Sequence, residues 1–259
     1  MLLIALARAL VLLDSAVADA RASETAMRTF LADASHELRT PVTAPHATAE
    51  RLLRDQPARP ARDAIEAQLA RESRRLGHLV DDLLNLARLD ARETPRREPL
   101  DLTDLTRAAV AATPAAHEAS TSRVEVVAAG PVTASGDPDA LLRAIRTLLD
   151  NALAVADTVV IQAAKTAHGP TVSVIDNGPG IPPHDRQRIF EPFVRLPTSP
   201  SGGTGLGLAI VQRTIASHGG TITCEPSPSG GARFTLRLPP ARQEPTAAIA
   251  TPRSQPAET

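Results

Sequence analysis

The segment Ser35-His36-Glu37-Leu38-Arg39-Thr40-Pro41 puts an imidazole beside a carboxylate and one helical turn before a hydroxyl. Near pH 7 a neutral imidazole carries a proton on one ring nitrogen and a lone pair on the other. If Glu37 holds that proton, the second nitrogen of His36 is free to attack an electrophile such as phosphorus. Thr40 sits at the spacing that shares a helix face with His36.

Two glycine-bearing segments supply a different chemistry. Asp176-Asn177-Gly178-Pro179-Gly180-Ile181 ends an expected strand, where a carboxylate can accept from an exocyclic amine and the glycines permit a turn closed to other side chains. Gly202-Gly203-Thr204-Gly205-Leu206-Gly207-Leu208-Ala209-Ile210 opens an expected helix, and its backbone amides can cradle phosphate without a lysine. It is not the dinucleotide fingerprint, because Leu208 stands at the third glycine position and no strand directly precedes it. Leu148-Leu149-Asp150-Asn151-Ala152 adds the amide oxygen of Asn151, a hard ligand suited to Mg²⁺.

Composition removes several other classes. The 259 residues carry a formal charge of -1 and four aromatic side chains, all Phe, so neither a basic footprint nor base-stacking platforms point to nucleic acid. One cysteine, Cys224, excludes a disulfide framework and a thiolate zinc site. The single lysine, Lys165, stands in no Gly-Lys-Ser/Thr, which excludes a Walker loop. The longest apolar run, Met1 to Leu13, is broken by Arg8 and is too short to span a bilayer. The histidines at 46, 78, 117, 168, 184 and 218 show no ligand spacing and read as solvated or structural.

These groups need elements to hold them. Apolar residues alternate three and four apart from Leu3 through Leu10, Val17, Met27, Leu31 and Leu38, a heptad seam that predicts one long helix bending at Pro41. With Leu31 and Ala34 on the seam, His36 falls opposite it and faces solvent. Gln56-Pro57-Ala58-Arg59-Pro60 predicts a turn, and a second helix over 61–91 carries Ile65, Leu69, Leu76, Leu79, Val80, Leu83, Leu84 and Ala87 on one stripe. Two such helices leave apolar faces uncovered, so a homodimer closed as a four-helix bundle is expected. After a charged linker, helices are expected near 103–113, 137–156 and 205–218. Strands are expected near 123–128, 158–164, 171–176, 221–225 and 232–238. The pattern predicts an α+β chain whose second part is an α/β sandwich with helices on one sheet face. Residues 241–259 lack apolar periodicity and are expected to be disordered.

The ordered set formed by the His36 segment, Asn151, Asp176-x-Gly178-x-Gly180, Ile189-Phe190-Glu191-Pro192-Phe193 and Gly203-x-Gly205-x-Gly207 resembles a two-component sensor histidine kinase. That resemblance implies a coiled-coil signalling helix over 1–23, similar to the end of a HAMP segment, as if an upstream membrane sensor were left off. It further implies a dimerisation and phosphotransfer hairpin over 24–91, a linker over 92–98, and an ATP-binding domain of the gyrase and Hsp90 type over 99–240. His36 would be the phosphoacceptor, Glu37 would orient it and receive its proton, and Thr40 would position a water for dephosphorylating a partner. Asn151 would hold Mg²⁺, Asp176 would accept from adenine N6, and Gly178 and Gly180 would shape the adenine pocket. Gly203, Thr204, Gly205, Leu206 and Gly207 would line the phosphates, under a lid over 182–201 anchored by Phe190 and Phe193. The implied activity is transfer of the γ-phosphoryl of Mg-ATP to His36 and then to an aspartate of a response-regulator receiver domain, in the cytoplasm.

The sequence departs from the family pattern on one helix. A second Asn, a basic residue and an aromatic are common there, and Thr147, Ala154 and Val155 stand in their places. Arg195 at the lid end is expected to supply the charge, with weak ATP binding as the result. The alternatives are a catalytically weakened dimeric scaffold that docks or dephosphorylates a regulator, and a mechanical ATPase, disfavoured because Asp150 is the nearest carboxylate to Asn151.

Overall fold

The computed structural model describes residues 48–50, 52–54, 58–90, 96–113, 123–197 and 203–240. The heptad seam before residue 48 and the tail after 240 lie outside the described residues. Helix α1 runs Arg59–Asp90, two residues earlier than the turn at 56–60 predicts. Pro60 falls in its first turn, where a missing N–H has no intrahelical partner to lose. Ala58 starts the helix by accepting from the amides of Ala61 and Arg62. On the expected stripe Leu79 is buried, but Val80 and Leu84 stay 41% and 51% exposed, and the other buried residue is Leu86, which the expectation did not name although it stands seven residues after Leu79 on the same face.

The rest is one sandwich. A five-stranded sheet has the order β2(Arg123–Ala128), β4(Thr158–Thr166), β5(Gly169–Asp176), β7(Ala232–Arg237) and β6(Thr221–Pro226). Only β2 and β4 are parallel. Three helices, α2(Leu102–Ala111), α3(Pro138–Leu153) and α4(Gly207–Ser217), supply the other layer of the core. On α3 the buried residues Leu141, Ala144, Ile145, Leu148, Leu149 and Ala152 recur at helical spacing. They meet Val159 and Ile161 of β4, Val172 and Val174 of β5, and Phe234 and Leu236 of β7 in one core. Burying such aliphatic side chains stabilises by about 1.5–3 kcal/mol each, so the stripe on α3 largely determines where that helix sits on the sheet.

The structure corrects the expected linker. Glu98, its last residue, begins strand β1(Glu98–Asp101), which pairs antiparallel with β3(Thr133–Gly136). Neither strand has the length or the alternation that marks one in a sequence. Asp101 joins the pair to α2: its Oδ1 accepts from the amides of Thr103 at 2.8 Å and Val132 at 2.9 Å. Burial opposes ionisation there, but the two amides, with the Thr103 hydroxyl and the Arg107 guanidinium, outweigh it and hold the carboxyl below its ordinary range.

His218 ties the helix carrying Asn151 to the helix opened by the glycine-rich loop. The ring is only 1% exposed; Nδ1 donates to Thr214 O at 2.7 Å and Nε2 accepts from the amide of Asp137, the N-cap of α3, at 3.0 Å. Both partners fix the same neutral tautomer. His218→Ala removes two buried hydrogen bonds and leaves a cavity, so a loss of about 3 kcal/mol is expected in urea unfolding followed by circular dichroism.

Candidate functional site

A cavity of about 400 Å³ opens between the C-terminal turn of α3, the end of β5, the segment 179–196 and the start of α4. That volume lies in the range of small-molecule sites. At its inner end Asp176 closes the central strand and is 4% exposed. Its Oδ1 accepts from the amides of Gly178 at 2.9 Å and Ala232 at 3.1 Å, which fixes the carboxylate plane and leaves Oδ2 as the acceptor for a ligand. The next residue locks the strand ends, since Asn177 Oδ1 accepts from the amides of Asp157 and Thr158.

Glycines make room for this arrangement. A Cβ on Gly231 would collide with Asp176 Oδ1, Asp176 O and the Gly178 amide. Gly180 has φ +72, and its added Cβ would come within 3.1 Å of Gly230 O. The loop into α4 is equally constrained. Gly205 has φ +73 and passes 2.8 Å, measured from its added Cβ, from the backbone of Phe193, whose amide donates to Gly205 O at 3.0 Å. Gly207 lets the Thr147 methyl lie where a Cβ would be 2.9 Å away. The Thr147 hydroxyl turns back to Arg143 O at 3.0 Å along its own helix and not toward the cavity.

Of the residues singled out in the sequence, Asn151, Asp176, Gly180, Arg195, Gly203, Thr204, Gly205 and Gly207 line the one cavity. Gly178 stands behind the wall, holding Asp176. The Leu206 side chain is fully buried away from the cavity, against Leu79 and Leu86 of α1. His36, Glu37 and Thr40 lie outside the described residues. Ala154 and Val155 do line the cavity, so an apolar wall stands where the family places a cation and a ring. Asp150 lines it too, and burial pushes its carboxyl above the ordinary range, partly offset by Arg146 one turn earlier.

The lid's expected anchors divide. Phe190, in the short 3₁₀ turn Arg188–Phe190, is 7% exposed and meets Phe234 edge-on with centroids 6.3 Å apart, beside the cavity wall. Phe193 joins the apolar contact with α1. Sequence reasoning missed Gly231, Ala232 and Phe234. The only signal was Gly230-Gly231 ahead of a strand, which reads as a turn until the fold brings it against Asp176.

A strand-end carboxylate held by amides, followed by a glycine-rich helix start on the same cavity, is an arrangement that can take an anionic nucleotide without a P-loop. The comparisons agree with that class. Residues 136–242 match the family model "Histidine kinase-, DNA gyrase B-, and HSP90-like ATPase", and residues 26–92 match "His Kinase A (phospho-acceptor) domain". The chain is 41% identical over 245 residues to the probable sensor histidine kinase TcrY of Mycobacterium tuberculosis, covering 91% of this chain and 50% of that protein. The solved mycobacterial sensor histidine kinase MprB matches at 30% identity and TM-score 0.50, over 55% of this chain and 97% of that one. A full-length ShkA structure in complex with AMPPNP matches at 29% identity and TM-score 0.58, over 78% of this chain and 45% of that one. The chain belongs to the sensor histidine kinase family. It spans about half the length of its relative TcrY.

The ATPase-type site implies ATP binding. Gly231→Ala, which drives a methyl into the carboxylate clamp, is expected to weaken ATP binding at least tenfold in calorimetric titration. Gly77→Ala, on α1 with nothing within 4 Å of the added Cβ, is expected to leave it unchanged.

Proposed function

We propose that the chain is an ATP-dependent protein-histidine kinase that phosphorylates itself on His36 and passes the phosphoryl group to an aspartate of a response-regulator receiver domain. One observation carries this reading: the cavity ends on the clamped carboxylate of Asp176 and opens on the amides of the Gly203–Gly207 loop, in a chain that also holds the Ser35–Pro41 segment. Asp176 Oδ2 accepts from the exocyclic amine of adenine, and Gly180 lets the backbone pass close beside the base. The loop amides at the start of α4 and the Arg195 guanidinium face the phosphate tail. Phosphoryl transfer demands positioning and charge neutralisation more than covalent chemistry from the protein, and a site built largely of amides suits it.

The donor set also fits a magnesium ion. Asn151 offers a neutral amide oxygen at the cavity wall, and such an ion is ordinarily held by few protein ligands together with substrate phosphates. When bound it neutralises charge on the phosphate oxygens. His36 forms the new nitrogen–phosphorus bond as the bond from the γ-phosphorus to its bridging oxygen breaks, ADP leaves, and Glu37, which orients the ring through its other nitrogen, receives the proton from that nitrogen. Thr40 positions a water when a phosphorylated partner is hydrolysed.

The working unit is a homodimer. Val80 and Leu84, 41% and 51% exposed on a helix whose Leu79 and Leu86 are buried, leave apolar surface that a second copy would cover in a four-helix bundle. Within the longer proteins of this family such a unit follows a membrane sensor, and this chain would act in the cytoplasm. Among the described residues no helix is long and apolar enough to cross a membrane.

A second reading is favoured by the wall itself: Ala154 and Val155 line the cavity and the Thr147 hydroxyl turns away from it, which supports a weakened enzyme that docks or dephosphorylates a regulator. Labelled ATP separates the two. The kinase yields an acid-labile, base-stable phosphoprotein that disappears in His36→Gln. Nucleotide binding with no label on His36 selects the scaffold, and label that survives His36→Gln refutes the assignment of the phosphoacceptor.

A further inference from the structure

Thr204 belongs to two contacts at once. It lines the nucleotide cavity, and its Oγ1 donates to Asp82 Oδ2 of helix α1 at 3.0 Å while accepting from the Leu206 amide at 3.2 Å. A hydroxyl has one proton to donate, so while Asp82 holds it none is left for a phosphate oxygen. A carboxylate oxygen and a phosphate oxygen are the same kind of acceptor, so Asp82, itself outside the cavity wall, takes the Thr204 proton that a phosphate tail in this cavity would claim.

The contact has an apolar half. Leu79 and Leu86 of α1 and Leu206 of the loop are buried together at 4%, 0% and 0% exposure, with Leu83, Phe193 and Ile210 packed against them. Phe193 is the one described residue other than glycine with positive φ, at 64°, and it is clasped to Gly205 through its amide. Backbone of this kind persists where surrounding contacts over-determine it. The lid end, the glycine-rich loop and the hairpin helix therefore meet at one point. Partial burial at that point pushes the Asp82 carboxyl up, with Thr204 and His78 offsetting part of the shift and Asp81 adding to it. A half-desolvated carboxylate keeps its hydrogen-bond partner more firmly than a solvated one.

We propose that Asp82 is a phosphate-mimicking latch: it holds Thr204, and with it the glycine-rich loop, on helix α1, so that nucleotide binding and docking of the loop on the hairpin exclude one another. The inference rests on the nucleotide reading of the cavity. A site whose competent form is a minor population binds with an affinity reduced by that fraction, so loosening the latch tightens binding with no new contact to the ligand.

The test titrates the full chain with Mg-AMPPNP by calorimetry, comparing wild type with Asp82→Ala and Leu86→Ala. Circular dichroism checks folding, and Leu86→Val replaces Leu86→Ala if the latter does not fold. Both variants are expected to bind about threefold to tenfold more tightly than wild type, within the usual span of coupling between sites. Equal affinities across the three proteins overturn the latch and leave the nucleotide reading standing. Weaker binding by Asp82→Ala makes Asp82 part of the nucleotide site and also overturns it. Tighter binding by Asp82→Ala alone reduces the effect to charge repulsion and overturns mutual exclusion. No binding by any of the three overturns the nucleotide reading and the latch together.

Discussion

The site depends on one carboxylate that is buried and fully oriented before a ligand arrives. Asp176 ends the central strand of the sheet, where β4 on one side and β7 on the other fix its backbone. Two amides then hold Oδ1, one from the turn that follows β5 and one from the start of β7. A buried carboxylate without partners is strongly unfavourable; with two amide donors it becomes a rigid acceptor. The glycine at 231 follows from this, because any side chain there would occupy the space of the carboxylate. So does the position of the 227–231 turn, whose Ser229 hydroxyl donates to Asp176 O.

Around that fixed point, α3 and α4 carry the other half of the site. The apolar stripe of α3 sets Asn151 and Asp150 at the cavity wall, and the buried ring of His218 spans from the last turn of α4 to the N-cap of α3. The two helices thus cannot slide independently. Thr147 under Gly207 is the second place where they touch closely. Packing thus sets the span across the cavity between Asn151 and the loop at 203–207.

Much of this was legible in the sequence because the chemistry is written in short motifs and the core in long periods. The helices around α3 and α4 and all five strands of the large sheet lie where the apolar patterns predict them. What escaped is what depends on three-dimensional proximity. β1 and β3 are four residues each and contain Pro99 and Gly136, so no period marks them, and they are defined by pairing with each other and by Asp101. Ala232 and Phe234 reach the cavity, and Gly231 reaches Asp176 behind its wall, only because β7 lies beside β5 although β6 precedes it in the chain. Leu86, at i+7 from Leu79 and i+3 from Leu83, shares their face of α1, and what the helical period does not show is that its partner there is Leu206 of the loop. The start of α1 at Arg59 was hidden by Pro60, which breaks a helix in its interior but suits its first turn.

The apolar residues at 154 and 155 change how charge must be handled. With Ala154 and Val155 on the wall, helix α3 presents no cation to an anionic ligand, and the described cavity wall holds a single guanidinium, that of Arg195. The remaining favourable charge is that of backbone dipoles at the start of α4, and this weakens within about one turn of the helix end. Amide donors act only at hydrogen-bond distance and in line, whereas a flexible lysine tolerates displacement. A site that leans on amides is therefore more sensitive to the exact path of residues 203–207 than one with a lysine. That path is set by Gly205 against Phe193, by Thr147 beneath Gly207 and by Leu206 on helix α1. Loss of the helix cation thus passes control of affinity from a side chain inside the site to the contacts that shape its loop.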